Sequence, residues 1–260
     1  MTVLAERSRS AYADLAALYD LWVADSRYRA WLVGLVGLAR EHGLAGARVL
    51  DVGCGTGLST VPLLELGLDV TACDPAPEML AQAELKIGQR ATLVDAGLPR
   101  LPVLGEFDLV LAANDVINHV LDAERLCDAV ASMAANLATH GLLLLDASTL
   151  ATYRGLFAIS HCREARDAVF VWRGMAPRDF APGALAEGVL DAFSCEPGGS
   201  WRRISSRFVQ RHHPHAELME AFDRADLEVL AVLGQHGDGR RDPHVDELEH
   251  IKRVYVARRP

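Results

Sequence analysis

The stretch Val49-Leu50-Asp51-Val52-Gly53-Cys54-Gly55-Thr56-Gly57 decides how the rest of the chain is read. An apolar run from Arg48 to Val52 stops at three glycines, and Leu58 to Leu66 then repeats apolar residues at helical spacing, so the unit reads strand, tight turn, helix. Glycine suits such a turn because it takes backbone conformations closed to other residues and lets a flat ligand lie against the main chain. Asp74 follows about twenty residues on, closing the next apolar run, where a carboxylate can accept both hydroxyls of a ribose.

The spacing narrows the ligand. Dinucleotide sites use G-x-G-x-x-G, whereas here the third glycine comes one residue early and Asp51 precedes the set. A pyrophosphate favours a helix N-terminus free of nearby negative charge, while a ligand carrying an ammonium and a sulfonium is matched by a carboxylate such as Asp51.

Working outward, Leu15, Leu18, Leu21 and Trp22 form a helical stripe before the motif, and a second helix is predicted over Trp31 to Arg40. Ligands of open sheets lie over the carboxyl ends of the strands, so this helix pair, with Tyr12, Tyr19, Trp22, Tyr28 and Trp31, is placed to fold across that mouth. The two tryptophans are read first as core. Beyond Asp74, a helix enters through Pro75, Pro77 and Glu78, and Ala91 to Val94 reads as a third strand ending at Asp95. Phe107 to Ala112 is a fourth strand, delivering Asn114-Asp115-Val116-Ile117-Asn118-His119 to the same rim. A helix over Ala123 to Leu137 and a fifth strand over Leu142 to Leu145 complete an alternation that argues for a parallel, doubly wound sheet. The alternation breaks between Leu150 and about Arg211, where Ala168 to Arg173, Gly188 to Ser194 and Trp201 to Gln210 are β-prone. It resumes with a helix over Pro214 to Ala225 and strands over Leu227 to Leu233 and Ile251 to Ala257.

The expected architecture is therefore α/β: a Rossmann-like, doubly wound, seven-stranded sheet with an N-terminal helical lid and an antiparallel β insertion. In one elaborated domain, residues 1–45 form the lid and 46–150 the nucleotide-binding core. Residues 151–211 form the insertion over the substrate site, and 212–260 the C-terminal part of the core sheet. A net charge of -9 and the lack of a basic run argue against nucleic-acid partners. Cys54, Cys73, Cys127, Cys162 and Cys195 are odd in number and never spaced as C-x-x-C. They read as core residues or free thiols of a reducing, cytoplasmic location, without disulfides or zinc. No signal peptide or membrane span is expected. A homodimer is retained as a candidate assembly.

The string "VLDVGCGTG" with the downstream "VTACDPAPEML" resembles motif I and the following acidic motif of class I S-adenosylmethionine (SAM) methyltransferases. Over most of its length the chain resembles the small-molecule subgroup that includes the bacterial sugar-amine N-methyltransferases of antibiotic pathways. "SAYADLAALYDLW" is similar to the lid helix of that subgroup, "FDLVLAANDVINHVLD" to its fourth-strand motif, and "SSRFVQRHHPHAELMEAFDRADLEVL" to its return from the inserted strands. The resemblance implies SAM as cofactor and S-adenosylhomocysteine as product. It puts Tyr19 against the cofactor, Asp51, Gly53, Cys54, Gly55, Thr56 and Gly57 around its methionine portion, and Asp74 with Pro75 on the ribose. Met79 falls near the adenine, Asp95 with Ala96 at its amino group, and Asn114 under the sulfonium. Tyr12 and His119 occupy the places from which that subgroup approaches the acceptor amine. Ala147-Ser148-Thr149 stand where those enzymes carry tryptophans, so the resemblance does not extend to a sugar-nucleotide substrate.

Methyl transfer from a sulfonium asks the protein to align the acceptor and keep its lone pair free. His119 suits the base, with Asp115 as competitor, and Tyr12 the orienting hydrogen bond. A metal is not expected: His212 and His213 are adjacent and face opposite sides of a strand, and the better reading of His212, His213 and His215 turns one imidazole into the substrate cavity. Trp172, Arg173, Trp201, Arg202 and Arg203 are candidates to grip an aromatic or anionic acceptor. The expected function is methyl transfer to nitrogen, or oxygen, of a small molecule of specialised metabolism. A peptide N-terminal or O-methyltransferase is the alternative within the class, and a SAM-binding protein without transfer the alternative outside it.

Overall fold

The computed structural model describes the backbone of residues 3–23 and 27–260, with side chains from residue 10 onward in the first of these segments. Two helices, α1 (Val3–Val23) and α2 (Tyr28–Glu41), precede β1 (Arg48–Val52), α3 (Thr60–Glu65), β2 (Asp69–Asp74), α4 (Pro77–Ile87), β3 (Thr92–Asp95), β4 (Phe107–Ala112), α5 (Ala123–Ala134) and β5 (Leu137–Ser148). A short α6 (Leu150–Arg154) leads into β6 (Ser160–Ala165), β7 (Ala168–Gly174), β8 (Leu185–Cys195) and β9 (Trp201–Arg211). The chain returns through α7 (His215–Arg224), β10 (Glu228–Gln235), β11 (Arg241–Asp242) and β12 (Lys252–Arg258).

The main sheet has the order β11-β10-β12-β5-β4-β1-β2-β3. Pairs from β5 to β3 are parallel, while β12 runs antiparallel to both β5 and β10. Seven of these strands are those read from sequence. The eighth is the two-residue β11, which escapes notice because two residues carry no periodicity.

Alternation within the central strands builds both cores. Leu50, Val110, Leu143 and Leu145 face α5 and α7, while Val49, Leu109, Leu111, Leu142 and Leu144 face α2 and α3. Strands covered on both faces read as continuous apolar runs, which is why β1, β4 and β5 are legible as such. The four-stranded antiparallel sheet β6-β7-β8-β9 occupies the region where alternation broke. It contains a strand, β6, that sequence did not suggest, since Ser160-His-Cys-Arg-Glu lacks an apolar alternation. Its inner face, with Phe170, Trp172, Leu190 and Phe208, packs on Ala11 and Leu15 of α1. Gly188 is required there, because a Cβ would stand 2.2 Å from the Trp172 ring. Helix α1 also rests on α4 through Ala16, Ala76 and Met79, and so bridges the two sheets. Among the described residues, no helix is long and apolar enough to cross a membrane.

Candidate active site

The carboxyl ends of β1, β2 and β4 and the underside of α1 enclose a cavity of about 470 Å³. Its floor is the glycine turn. The amides of Gly53 and Cys54 both donate to the Cys73 carbonyl, tying the turn to β2. Gly53 (φ +71°) sits under Val116, where a Cβ would come within 2.6 Å. Gly55 (φ +55°) has nothing within 4 Å of the same position and lines the cavity, so its missing side chain leaves free space above the backbone. Asp74 closes this wall by accepting from the Gly55 and Ala76 amides at 2.9 Å each. Burial pushes its carboxyl up to about 6 against those two bonds.

Of the residues implicated by sequence, Tyr12, Tyr19, Gly53, Cys54, Gly55, Asp74, Pro75, Met79, Asn114 and His119 line one cavity. Asp51, Thr56, Gly57, Asp95 and Ala96 are not in its lining. The Asp51 carboxylate is buried beneath the turn, where it accepts the Ser59 and Thr60 hydroxyls at 2.7 Å. Burial holds it at about 6, with the hydroxyls opposing, so it shapes the turn from below. Thr56 turns its hydroxyl to Asp20 of α1 at 2.5 Å, and Asp20 also pairs with Lys86 of α4. Asp95 is exposed at the end of β3, and the Gly97–Arg100 segment supplies the wall there. That segment had no motif to betray it.

The opposite wall is the turn after β4. Asn114 and Asp115 both adopt left-handed conformations (φ 67° each), and the Asp146 carboxylate holds them by accepting their amides at 2.7 and 2.8 Å. Asn114 hydrogen-bonds Tyr19. A 3-10 turn, Val116–His119, then carries His119 beneath α1, where its Nε2 lies 3.0 Å from the Tyr12 hydroxyl and 3.5 Å from the Gln210 amide nitrogen. With two donors converging on Nε2, that nitrogen is the acceptor, and the ring also bonds the Val209 backbone. Burial lowers the imidazole below its ordinary range, with Asp115 pulling the other way, so the ring is neutral at neutral pH. Gln210, on β9, is a neighbour that sequence reasoning missed, being one polar residue on an otherwise ordinary strand.

Other expectations do not survive. His212 bonds the Gly183 amide and Glu247, His213 the Ile117 carbonyl and Arg211, and His215 the Tyr255 hydroxyl, so none of the three lines the cavity. Trp172 is core, and Arg173 and Arg203 are spent on Asp191. Trp201 and Arg202 are exposed and outside the lining. Elsewhere His236, Asp242 and His250 cluster at metal-ligand spacing. His250 Nδ1 accepts the Asp246 amide at 2.9 Å, so in the neutral ring Nε2 carries the proton facing Asp242. The cluster is then a hydrogen-bonded triad without a free lone pair on that histidine.

The model of a methyltransferase domain matches residues 49–141. The ubiquinone biosynthesis O-methyltransferase of Methylocella silvestris is 35% identical over 224 residues, 74% of this chain and 82% of that protein. Glycine N-methyltransferase of Oryctolagus cuniculus is 31% identical over 170 residues, 55% of this chain and 56% of that protein, so the chain spans about half the length of this relative. Among solved structures, SAM-bound CalS10, an amino pentose methyltransferase from Micromonospora echinaspora, shares the fold with a TM-score of 0.68 at 20% identity, over 94% of this chain and 95% of that one.

Proposed function

The chain belongs to the SAM-dependent methyltransferases, and from that premise we propose that it moves a methyl group to nitrogen, or oxygen, of a small-molecule acceptor held between Tyr12 and His119. The observation that carries this reading is the His119 ring in the cavity lining with its Nε2 bonded to a hydroxyl of the covering helix, where burial favours the neutral imidazole. The free space above Gly55, walled by Asp74, belongs to the cavity of about 470 Å³ and supports a nucleoside bound there. Asp74 and Pro75 would hold its ribose, Gly53 to Gly55 its methionine portion, Met79 its base, and Asn114 with Tyr19 the region of the sulfonium. When bound, SAM supplies an already activated methyl group.

The protein's share is alignment and proton removal. An ammonium or hydroxyl acceptor displaces the Tyr12 hydroxyl from His119 Nε2 and gives up its proton there, which frees the lone pair for attack. Tyr12 then orients the acceptor, its own phenol kept protonated because burial raises it well above the ordinary range. Asp115 is poorly suited as the base: although burial favours its protonated form, Lys252 overrides this and holds it below the usual carboxylate range. Five unpaired cysteines accord with a reducing cytoplasm.

The test is calorimetric titration with SAM and S-adenosylhomocysteine beside a methyl-transfer screen over amines, phenols, carboxylates and peptides. His119→Ala is expected to lower turnover by about tenfold or more while SAM affinity holds. Unchanged turnover removes His119 from the mechanism, and product binding without any acceptor favours a binding protein.

A further inference from the structure

The acceptor wall depends on a residue far from both motifs. Lys252, the first residue of β12, is buried with its Nζ 3.0 Å from Asp115 Oδ1, 3.2 Å from Asp146 Oδ1 and 3.4 Å from Asn114 Oδ1. The Trp31 ring of α2 covers its remaining side at 5.2 Å. Asp146 cannot turn away, because its two oxygens hold the amides of the left-handed pair Asn114 and Asp115. Asp115 is likewise fixed by the Ser148 hydroxyl at 2.8 Å.

We propose that Lys252 is a positioning residue for the reaction: its single charge bridges the Asp115–Asp146 carboxylate pair, and so keeps the Asn114–Asp115 turn folded and Asp115 ionised beside His119. The proposal rests on the reading of His119 as the base. Two carboxylates brought together by one turn repel each other, and one lysine between them offsets that repulsion. The lysine, 3.0 Å from Asp115, also keeps that carboxylate ionised, and its charge in turn supports the proton affinity of the buried His119. Without it, burial and the neighbouring carboxylate favour protonated Asp115, whose field then no longer supports the imidazole, and His119 is left a weaker base.

The other groups around Asp115 do not supply a substitute charge. Tyr12 and Tyr19 of α1, Tyr28 of α2 and Tyr153 of α6 are buried phenols, all raised above their ordinary range and therefore neutral. Asp74 adds only negative charge. Lys252 itself stays charged, since the two carboxylates outweigh the tendency of burial to lower it.

A purely structural lysine and an electrostatic one differ in a measurable way. Side-chain NMR titration of His119 in the full chain, with the pH profile of kcat/KM, is compared in Lys252→Met, Lys252→Arg and Asp115→Asn. In Lys252→Met the His119 midpoint is expected to fall by about one pH unit, a tenfold change in proton affinity, and the acid limb of the profile to fall with it. In Asp115→Asn it is expected to fall, and in Lys252→Arg to stay near the native value. Matching falls are the signature of a charge that Lys252 maintains on Asp115; an unmoved midpoint, or a rise, in Lys252→Met overturns the proposal. If Lys252→Met fails to fold, Asp115→Asn decides alone, a fall supporting the proposal and no change overturning it. Failure of the base assignment is separable: turnover would survive His119→Ala while the midpoints still moved.

Discussion

The two walls of the cavity are built in different ways. The glycine turn after β1 is held by groups close in the chain or on the next strand: Ser59 and Thr60 on Asp51, Asp74 on Gly55, and the Cys73 carbonyl on two amides. The turn after β4 is held by groups from everywhere else: Asp146 of β5, Lys252 of β12, Gln210 of β9, and Tyr12 and Tyr19 of α1. Beyond its own motif the first wall takes fewer distant partners, among them Asp20 and Lys86 on Thr56. The second exists only once both sheets and the covering helix are assembled, so a family sharing the first wall is free to vary what the second one accepts.

The contrast is broken most severely at Asp146. Asp146→Ala removes the acceptor of two part-buried amides and one of the two carboxylates facing Lys252, and is expected to cost about 3–5 kcal/mol in urea unfolding, with loss of turnover. On the other wall the glycines should separate. Gly53→Ala meets both a left-handed backbone and Val116, and is expected to cost about 2–4 kcal/mol. Gly55→Ala carries only the backbone penalty, about 1–2 kcal/mol, yet is expected to weaken SAM binding about tenfold or more because its methyl projects into the free space. Equal affinity in the native and Gly55→Ala proteins would place the cofactor elsewhere.

The smallest effect sharpens the comparison by pH. Asp74 is raised to about 6 and serves a ribose only as the carboxylate, so SAM affinity should be full above that pH and decline as pH falls through it. Calorimetry across this range measures the decline. The acid limb of turnover at saturating SAM should lie lower, below the ordinary imidazole range, because burial depresses His119. A single limb common to binding and turnover would mean that one group controls both.

Most of the sheet could be read from sequence because β1, β4 and β5 are apolar on both faces and their helices are periodic. The strands β6 and β11 could not, one being polar and the other two residues long. The glycine wall was legible for the same reason that it is local: Gly53, Gly55 and Asp74 sit at strand ends with a spacing the backbone dictates. Asp51 and Asp95 were placed correctly along the chain but not in depth, since a strand end does not say whether its carboxylate faces the cavity, the turn or solvent.

By itself, then, the sequence determined the alternating sheet, the position of its glycine turn, and the placing of Tyr12, Tyr19 and His119 on the elements that meet at the cavity. Only the tertiary structure decided which groups surround His119, that Lys252 joins two carboxylates behind it, and that His212, His213 and His215 bond within the protein outside the cavity. The reason is physical. A turn's backbone geometry is set by neighbours along the chain, whereas a buried charge takes its proton affinity from whatever strands the fold brings within a few ångströms.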